Sequence, residues 1–257
     1  MVARLADGRA DMDRVLAFRT AAFPRRAGPD TGPDTGPDTG PDTGPDTGPE
    51  YGPESDAQDA LSAHVMIEAE GVLLASYRIM LFGWGAGLEQ GYAARFYDVT
   101  PLARYAKPIV EIGRFCLAPG RIAPDVLRLA WGAMARTVDE GQAGLIVGCT
   151  SFKGADWTQH RAGLALLAEG HVGPTDHRPG RKAAEVVDFP TLAGPVVDRK
   201  ASVAGLPPLL RSYLGMGGWV SDHAVVDRAL DTLHVFTCVE VDKVPPARAA
   251  SLRAVAG

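Results

Sequence analysis

With 257 residues, 46% of them hydrophobic, the chain can bury a sizeable core, and one large domain is expected rather than two small ones. A formal net charge of −5 with no aromatic-interleaved basic motif argues against nucleic-acid binding. No apolar run approaches the roughly 20 residues that span a bilayer, and an N-terminus carrying Asp7, Asp11 and Asp13 lacks the blocks of a signal peptide, so a cytoplasmic protein is expected.

The first predicted element is an amphipathic helix from about Met12 to Phe23, with Val15, Leu16, Arg19, Ala22 and Phe23 at helical spacing ahead of Pro24. A tract over 28–54 follows: five tandem Gly-Pro-Asp-Thr units, then Gly48-Pro49-Glu50-Tyr51-Gly52-Pro53-Glu54. Proline every fourth residue removes amide donors, glycine raises the entropy lost on ordering, and little apolar surface compensates; the tract is expected to be a disordered insertion within the domain. Its Asp residues recur every four positions, whereas calcium loops space their oxygens two apart. Because it holds seven carboxylates and no Lys or Arg, the rest of the chain carries +2, a mildly basic body that suits an acidic protein partner or an anionic membrane surface.

Beyond the tract, His64 to Ala69 and Val72 to Met80 flank a Glu70-Gly71 turn and predict an antiparallel hairpin. A strand from Ile109 to Leu117 comes next. Pro124-Asp125 opens a helix to about Asp139, with Leu127, Ala130, Trp131, Met134 and Val138 along one stripe and Gly141 as its stop. Leu145 to Cys149 suits a buried strand, Trp157 to Glu169 a helix ended by Gly170, and 174–200 a loop-rich stretch. A short helix from Leu206 to Met216 and a strand from Leu233 to Val241 complete the order. The expected class is α/β (α+β), a mixed, mostly antiparallel sheet with helices on both faces.

The most informative stretch is Glu111-Ile112-Gly113-Arg114-Phe115-Cys116, a carboxylate and a guanidinium inside an apolar strand. Burying an unpaired ion costs several kcal/mol as a rough estimate, so Glu111 and Arg114 must be paired, hydrated or used. Strand residues three apart lie on opposite faces, and the two converge only through a bulge, which Gly113 would tolerate. A structural ion pair that fixes strand register is the competing explanation. Cys116, Cys149 and Cys238 are odd in number, widely spaced and set in apolar runs, which points to buried reduced thiols rather than a disulfide or zinc framework. The six histidines show no metal-ligand spacing, and no metal is expected. Cys149-Thr150-Ser151 with His160 leaves a covalent acyl-enzyme route as rival chemistry.

Together, Gly91-Tyr92 through Phe96-Tyr97-Asp98, Glu111 to Cys116, Gly148-Cys149-Thr150-Ser151-Phe152-Lys153-Gly154 and Leu206-Pro207-Pro208-Leu209-Leu210-Arg211-Ser212-Tyr213-Leu214 resemble the GNAT acyltransferase superfamily, and within it the bacterial ornithine lipid N-acyltransferases. The resemblance implies a GNAT-like sheet with splayed central strands and the transfer of a 3-hydroxyacyl chain from acyl carrier protein to the α-amine of L-ornithine, the first step of ornithine lipid biosynthesis. The chain is also similar to the acyl-homoserine lactone synthases: their helix Arg and Phe match Arg19 and Phe23, their acidic pair Asp56 and Asp59, their strand Arg Arg78, and their central Glu and Arg Glu111 and Arg114. A tryptophan of that family has no counterpart here, so ornithine is the better amine. The rivals are a signal synthase or other N-acyl amino acid synthase, and a silent module that only binds acyl carrier protein.

On this resemblance Glu111 is the candidate base for the α-ammonium. Backbone amides around Phe115, Cys116 and Leu117 would receive the oxyanion, and Arg114 would bind the substrate carboxylate or steady Glu111. Arg19 and Arg78 would hold carboxylate at the mouth, and Asp56 and Asp59 the ornithine side-chain ammonium. Acetyl-CoA users carry a glycine-rich pyrophosphate nest after the central strand, whereas Ala118-Pro119-Gly120-Arg121-Ile122-Ala123-Pro124 makes a poor one. No cofactor is expected to stay bound; the donor brings 4'-phosphopantetheine on acyl carrier protein, with Arg121 as its phosphate contact. The single-chain lipid product implies transient contact with the inner membrane face through Leu209, Leu210, Tyr213, Leu214 and Trp219, against the alternative that these simply pack as core.

Overall fold

The computed structural model describes residues 1–22, 55–118, 124–192 and 198–256. The 28–54 tract, Phe23 and Arg121 lie outside the described residues. In chain order the elements are β1 (Val2–Leu5), α1 (Gly8–Ala22), β2 (Ala63–Ala69), β3 (Val72–Phe82), β4 (Tyr97–Asp98), β5 (Ile109–Leu117), α2 (Pro124–Glu140), β6 (Leu145–Lys153), α3 (Arg161–Gly170), β7 (Gly180–Arg181), β8 (Val186–Asp188), α4 (Arg199–Ala204), α5 (Pro208–Leu214), β9 (Trp219–Val220), β10 (His223–Asp227), β11 (Thr232–Glu240) and α6 (Pro246–Ala256).

Among the described residues, β1-β2-β3-β5-β6-β11-β10-β8 form one sheet, to which β9 adds beside β11, while β4 and β7 make a separate two-stranded ribbon. Within the large sheet every pairing is antiparallel except β5 with β6. The strand bounds at β5 and the hairpin β2–β3 follow the sequence pattern closely. The pattern did not reveal β1, β10 or α6: β1 is too short to show alternation and exists by pairing Val2 to Leu5 with Glu68 to Val65, and β10 is defined by its hairpin with β11.

Alternation along the strands builds two cores. On one face, Tyr77, Ile79, Val110 and Ile112 pack against Trp131, Met134 and Val138 of α2, and Phe152, Val235 and Leu233 pack against Leu164 and Leu167 of α3. On the other, Met80, Ile109, Val147 and Phe236 are covered by Leu88, Ala93, Tyr97 and Leu102 from the connection between β3 and β5. The arginine of α1, Arg19, is 1% exposed and reaches Asp59, just ahead of β2. The residues considered for membrane contact are largely interior: Leu210, Tyr213 and Trp219 are buried, and Leu209 and Leu214 are partly covered by the core, as the amphipathic stripe of a packed helix requires. No described helix is long and apolar enough to cross a membrane.

The sheet opens at its centre. β5 and β6 pair over Ile109 with Leu145, Val110 with Ile146 and Glu111 with Val147, and no further, although both strands run on to Leu117 and Lys153. At the point of parting, a Cβ on Gly148 would lie 2.4 Å from the Ile112 carbonyl oxygen. Gly148→Ala is therefore expected to force the strands apart and destabilise the protein by about 1–3 kcal/mol, checked by urea denaturation.

Candidate active site

Residues of β3 and β5 are paired with Arg78 opposite Gly113 and Ser76 opposite Cys116, so that Tyr77 alone faces Arg114 and Phe115. This is a β-bulge, and the extra residue is Arg114, at φ 51°. A left-handed backbone at a non-glycine residue costs on the order of 1–3 kcal/mol. The bulge resets the alternation: Ile112, Phe115 and Leu117 all pack with the α2 core, and Phe115 stacks on Tyr77 with ring centroids 5.3 Å apart. Glu111, Gly113 and Arg114 thereby share the opposite face. The sequence placed the bulge at Gly113, and the structure places it one residue later. Glycine at 113 instead leaves room for the Arg78 side chain, whose Nε would lie a tight 3.2 Å from a Cβ there.

Glu111 is 3% exposed. Its Oε2 accepts the Tyr92 N–H at 2.8 Å and its Oε1 the Ala93 N–H at 2.7 Å, the amides that open the 3-10 turn Ala93–Arg95. A Cβ on Gly91 would stand 2.5 Å from Oε2, so glycine lets the turn close over the carboxylate. Burial raises the Glu111 pKa above the ordinary carboxylate value, and the two amides only partly offset it. Among the described residues no ion pair joins Glu111 to Arg114, which removes the competing explanation of a structural pair between them. The bulge puts both on one face but gives them different partners.

Arg114 Nη2 instead donates to Asp56 Oδ2 at 3.0 Å. Arg78 Nη1 donates to Asp56 Oδ1 and, at 3.0 Å, to Asp59 Oδ1. Arg19 Nη1 donates to the same Asp59 oxygen at 2.6 Å, and Asp59 Oδ2 accepts the Asp56 N–H at 3.0 Å. Every oxygen of Asp56 and Asp59 thus already accepts a hydrogen bond, and both carboxylates serve as counter-charges to the arginines. Among the described residues three guanidinium groups and two carboxylates make up the cluster. Arg78, 2% exposed, keeps its Nη2 without a hydrogen-bond partner. The Tyr92 ring lies against the cluster, 5.4 Å from the Arg78 and 5.1 Å from the Arg114 guanidinium carbon, a cation–π arrangement. Burial, moderated by Arg114, pushes the Tyr92 hydroxyl up to about 12 and keeps it protonated.

Arg19, Asp56, Asp59, Arg78, Glu111 and Arg114 therefore meet in one place, as their shared resemblance implied. Tyr92 and Gly91 were not singled out for a role. Their contribution is a backbone amide and a missing side chain, which no pattern of charged side chains reveals. The Ala118 N–H donates to Leu74 O, and strand alternation from there turns the Cys116 amide towards β3 and the Leu117 amide towards the gap. The covalent route loses its partners: His160 sits beside Phe152 on the α3 face, while Cys149 packs on the face of Val147 and Phe236. Burial, then the Glu111 carboxylate, pushes the Cys149 thiol well above its ordinary value, the opposite of an activated nucleophile. A groove of about 510 Å³ beside Asp98 and Lys182 and an apolar cavity of about 50 Å³ beneath α6 are lined by neither Glu111 nor the arginine cluster. Among the described residues no group of His, Cys, Asp or Glu gathers as a metal site.

Removing one member of the buried cluster strands the others. Asp59→Asn is expected to cost about 3–5 kcal/mol, read by chemical denaturation, because Arg19 and Arg78 lose a shared counter-charge. Burial opposes ionisation of Asp56, but the Arg78 hydrogen bond with Arg114 outweighs it and holds its pKa below the usual value. Its contribution to stability is therefore present above the unfolded carboxyl value near 3.9 and fades as pH falls through the lower folded one. Thermal melts of the wild type should lose stability below about pH 4 more steeply than those of Asp56→Asn.

Residues 41–132 match the family model described as an acetyltransferase (GNAT) domain. The chain is 29% identical over 168 residues to an L-ornithine N(alpha)-acyltransferase of Rhodobacter capsulatus, covering 65% of this chain and 64% of that protein. It is 27% identical over 200 residues to one of Rhizobium meliloti, covering 74% and 67%. The chain thus spans about two thirds of the length of the curated relatives it matches, a little less for the first. Among solved structures it is similar to an N-acyl amino acid synthase from uncultured soil microbes, with TM-score 0.43, 11% identity and coverage of 94% and 91%. A mixed, mostly antiparallel sheet parted between its central strands, with a matched GNAT stretch running through β5, is a GNAT-like α/β fold.

Proposed function

We propose that the protein is an N-acyltransferase that moves a 3-hydroxyacyl chain from acyl carrier protein to the α-amine of L-ornithine, giving lyso-ornithine lipid. The observation that carries this reading is the buried Glu111 carboxylate, held by two backbone amides at the edge of the opening between β5 and β6 and flanked by an arginine-rich cluster. The names of its sequence relatives supply the amine.

An α-ammonium must lose a proton before its nitrogen lone pair can attack a thioester. Glu111 takes that proton, and its raised pKa makes it a better base than an exposed carboxylate. The substrate α-carboxylate is received by the cluster, where the unpartnered Nη2 of Arg78 is a buried donor and Arg114 lies alongside. The acyl carbonyl enters the opening, and the Leu117 amide, with Phe115 at the bulge, stabilises the oxyanion as the thiolate departs and takes up a proton. The donor carries 4'-phosphopantetheine, which needs one phosphate contact rather than a pyrophosphate nest; Arg121 is that contact in this reading, and acyl carrier protein, itself acidic, would meet the mildly basic body. A cytoplasmic enzyme that touches the inner membrane face would release its single-chain product there.

Incubation with 3-hydroxyacyl-ACP and L-ornithine should yield acyl-ornithine, and no such product with any acyl donor would overturn the reading. Glu111→Gln should lower kcat by roughly 10²–10⁴-fold. It should also abolish an acid limb that, in the wild type, lies at higher pH than an exposed carboxylate would give. An amide side chain turns its NH2 towards one of the two backbone donors, so a melting curve must accompany the assay.

A further inference from the structure

Beyond the arginine cluster, three polar groups stand side by side on the Glu111 face of the sheet. Asp227 ends β10 directly opposite Thr232 at the start of β11, and the next pair on that face is Val225 with His234. Opposed residues of an antiparallel ladder have Cβ atoms about 5 Å apart, and the next residue on the same face lies about 7 Å along. Asp227, Thr232 and His234 therefore form one short row.

Each presents an acceptor that nothing serves. Asp227 is 9% exposed and forms no ion pair among the described residues; its Oδ1 accepts the Leu230 N–H at 3.0 Å in the hairpin turn, and Oδ2 has no such partner. Thr232 Oγ1 and His234 Nε2 are buried without hydrogen-bond partners. The Tyr97 hydroxyl donates to His234 O at 2.9 Å and lies 3.1 Å from its Nδ1, which makes Nδ1 the ring's donor and leaves a lone pair on Nε2. Burial, reinforced by His223, pushes the His234 pKa down to about 4 and keeps the ring neutral. A carboxylate, a hydroxyl and an imidazole lone pair match the three donors of one ammonium group.

The row is joined to the base. Phe96 packs 4.9 Å from the His234 ring and 5.3 Å from the ring of Tyr92, whose amide holds Glu111. Along β6, Cys149 lies between Val147, the partner of Glu111, and Ser151, the partner of His234. Asp56 and Asp59 are paired with arginines, whereas Asp227, like Glu111, has no ion pair among the described residues.

We propose that Asp227, with Thr232 and His234 beside it, is the subsite for the distal ammonium of a diamino acid substrate, and so selects ornithine over neutral amino acids. This rests on the reading of Glu111 as the base for the α-amine. The test compares kcat/KM for L-ornithine and L-norvaline, which has the same carbon skeleton without the distal amine, in the wild type, Asp227→Asn and Thr232→Val, with 3-hydroxyacyl-ACP as donor. Asp227→Asn keeps an oxygen for the Leu230 amide and hence the turn. It should lower kcat/KM for ornithine roughly 10–100-fold, mainly through KM, while norvaline is unaffected. The nearly isosteric Thr232→Val should move the same ratio less far, and it provides the measurement if Asp227→Asn does not fold. A wild-type preference for ornithine that survives in both variants overturns the subsite and leaves the acyltransferase reading standing. A wild type that acylates norvaline as well as ornithine likewise overturns the subsite alone, and one that acylates neither overturns both.

Discussion

A regular pleat would send Ile112 and Arg114 to one face of β5 and Glu111 and Gly113 to the other. The bulge opposite Tyr77 breaks that alternation, and the site depends on the break. It turns Arg114 towards Asp56 and Arg78, and at the same step sends Phe115 to stack on Tyr77 and seal the α2 core. A backbone at φ 51° on an arginine is tolerated because both consequences are stabilising: a guanidinium satisfied by a carboxylate, and an aromatic pair buried.

Charge in the interior is handled in two ways. Arg19, Arg78 and Arg114 are paired side chain to side chain with Asp56 and Asp59, a network in which each member needs the others because an unpaired ion at that depth would be unfavourable. Glu111 is held by backbone amides, which lend partial positive charge without a counter-ion. The difference matters chemically: a carboxylate locked to an arginine has a depressed proton affinity, as at Asp56, whereas one held by amides in a buried pocket keeps a raised one. A base belongs in the second environment. The turn that supplies those amides is fixed from behind, where Lys182 donates to Ala94 O at 2.7 Å and Ala183 N to Phe96 O at 3.0 Å.

Much of this was legible in the residues. The bounds of β5, the β2–β3 hairpin, α2 and the class of the sheet follow from hydrophobic period, a Glu-Gly turn and a Pro-Asp helix start, all local signals. The grouping of Arg19, Asp56, Asp59, Arg78, Glu111 and Arg114 followed from resemblance to families whose matching residues share a site. Their individual partners did not follow. Spacing allowed Glu111 and Arg114 to converge through a bulge, and the resemblance offered Asp56 and Asp59 to a substrate ammonium, while the fold brings Arg19, 40 positions away in sequence, onto Asp59.

By itself the sequence determined that two ionisable groups must be accommodated in the central strand, that a helix and a hairpin precede that strand, and that Gly113 would let it bulge. Only the tertiary structure decided where the bulge falls and what surrounds the charges. Arg78 fills the space over Gly113, the amides of Tyr92 and Ala93 close on Glu111, and β5 and β6 part just beyond it. The physical reason is that hydrophobic period and turn chemistry are local, whereas hydrogen-bond partnership, burial and the proton affinity they set depend on groups far apart in the chain.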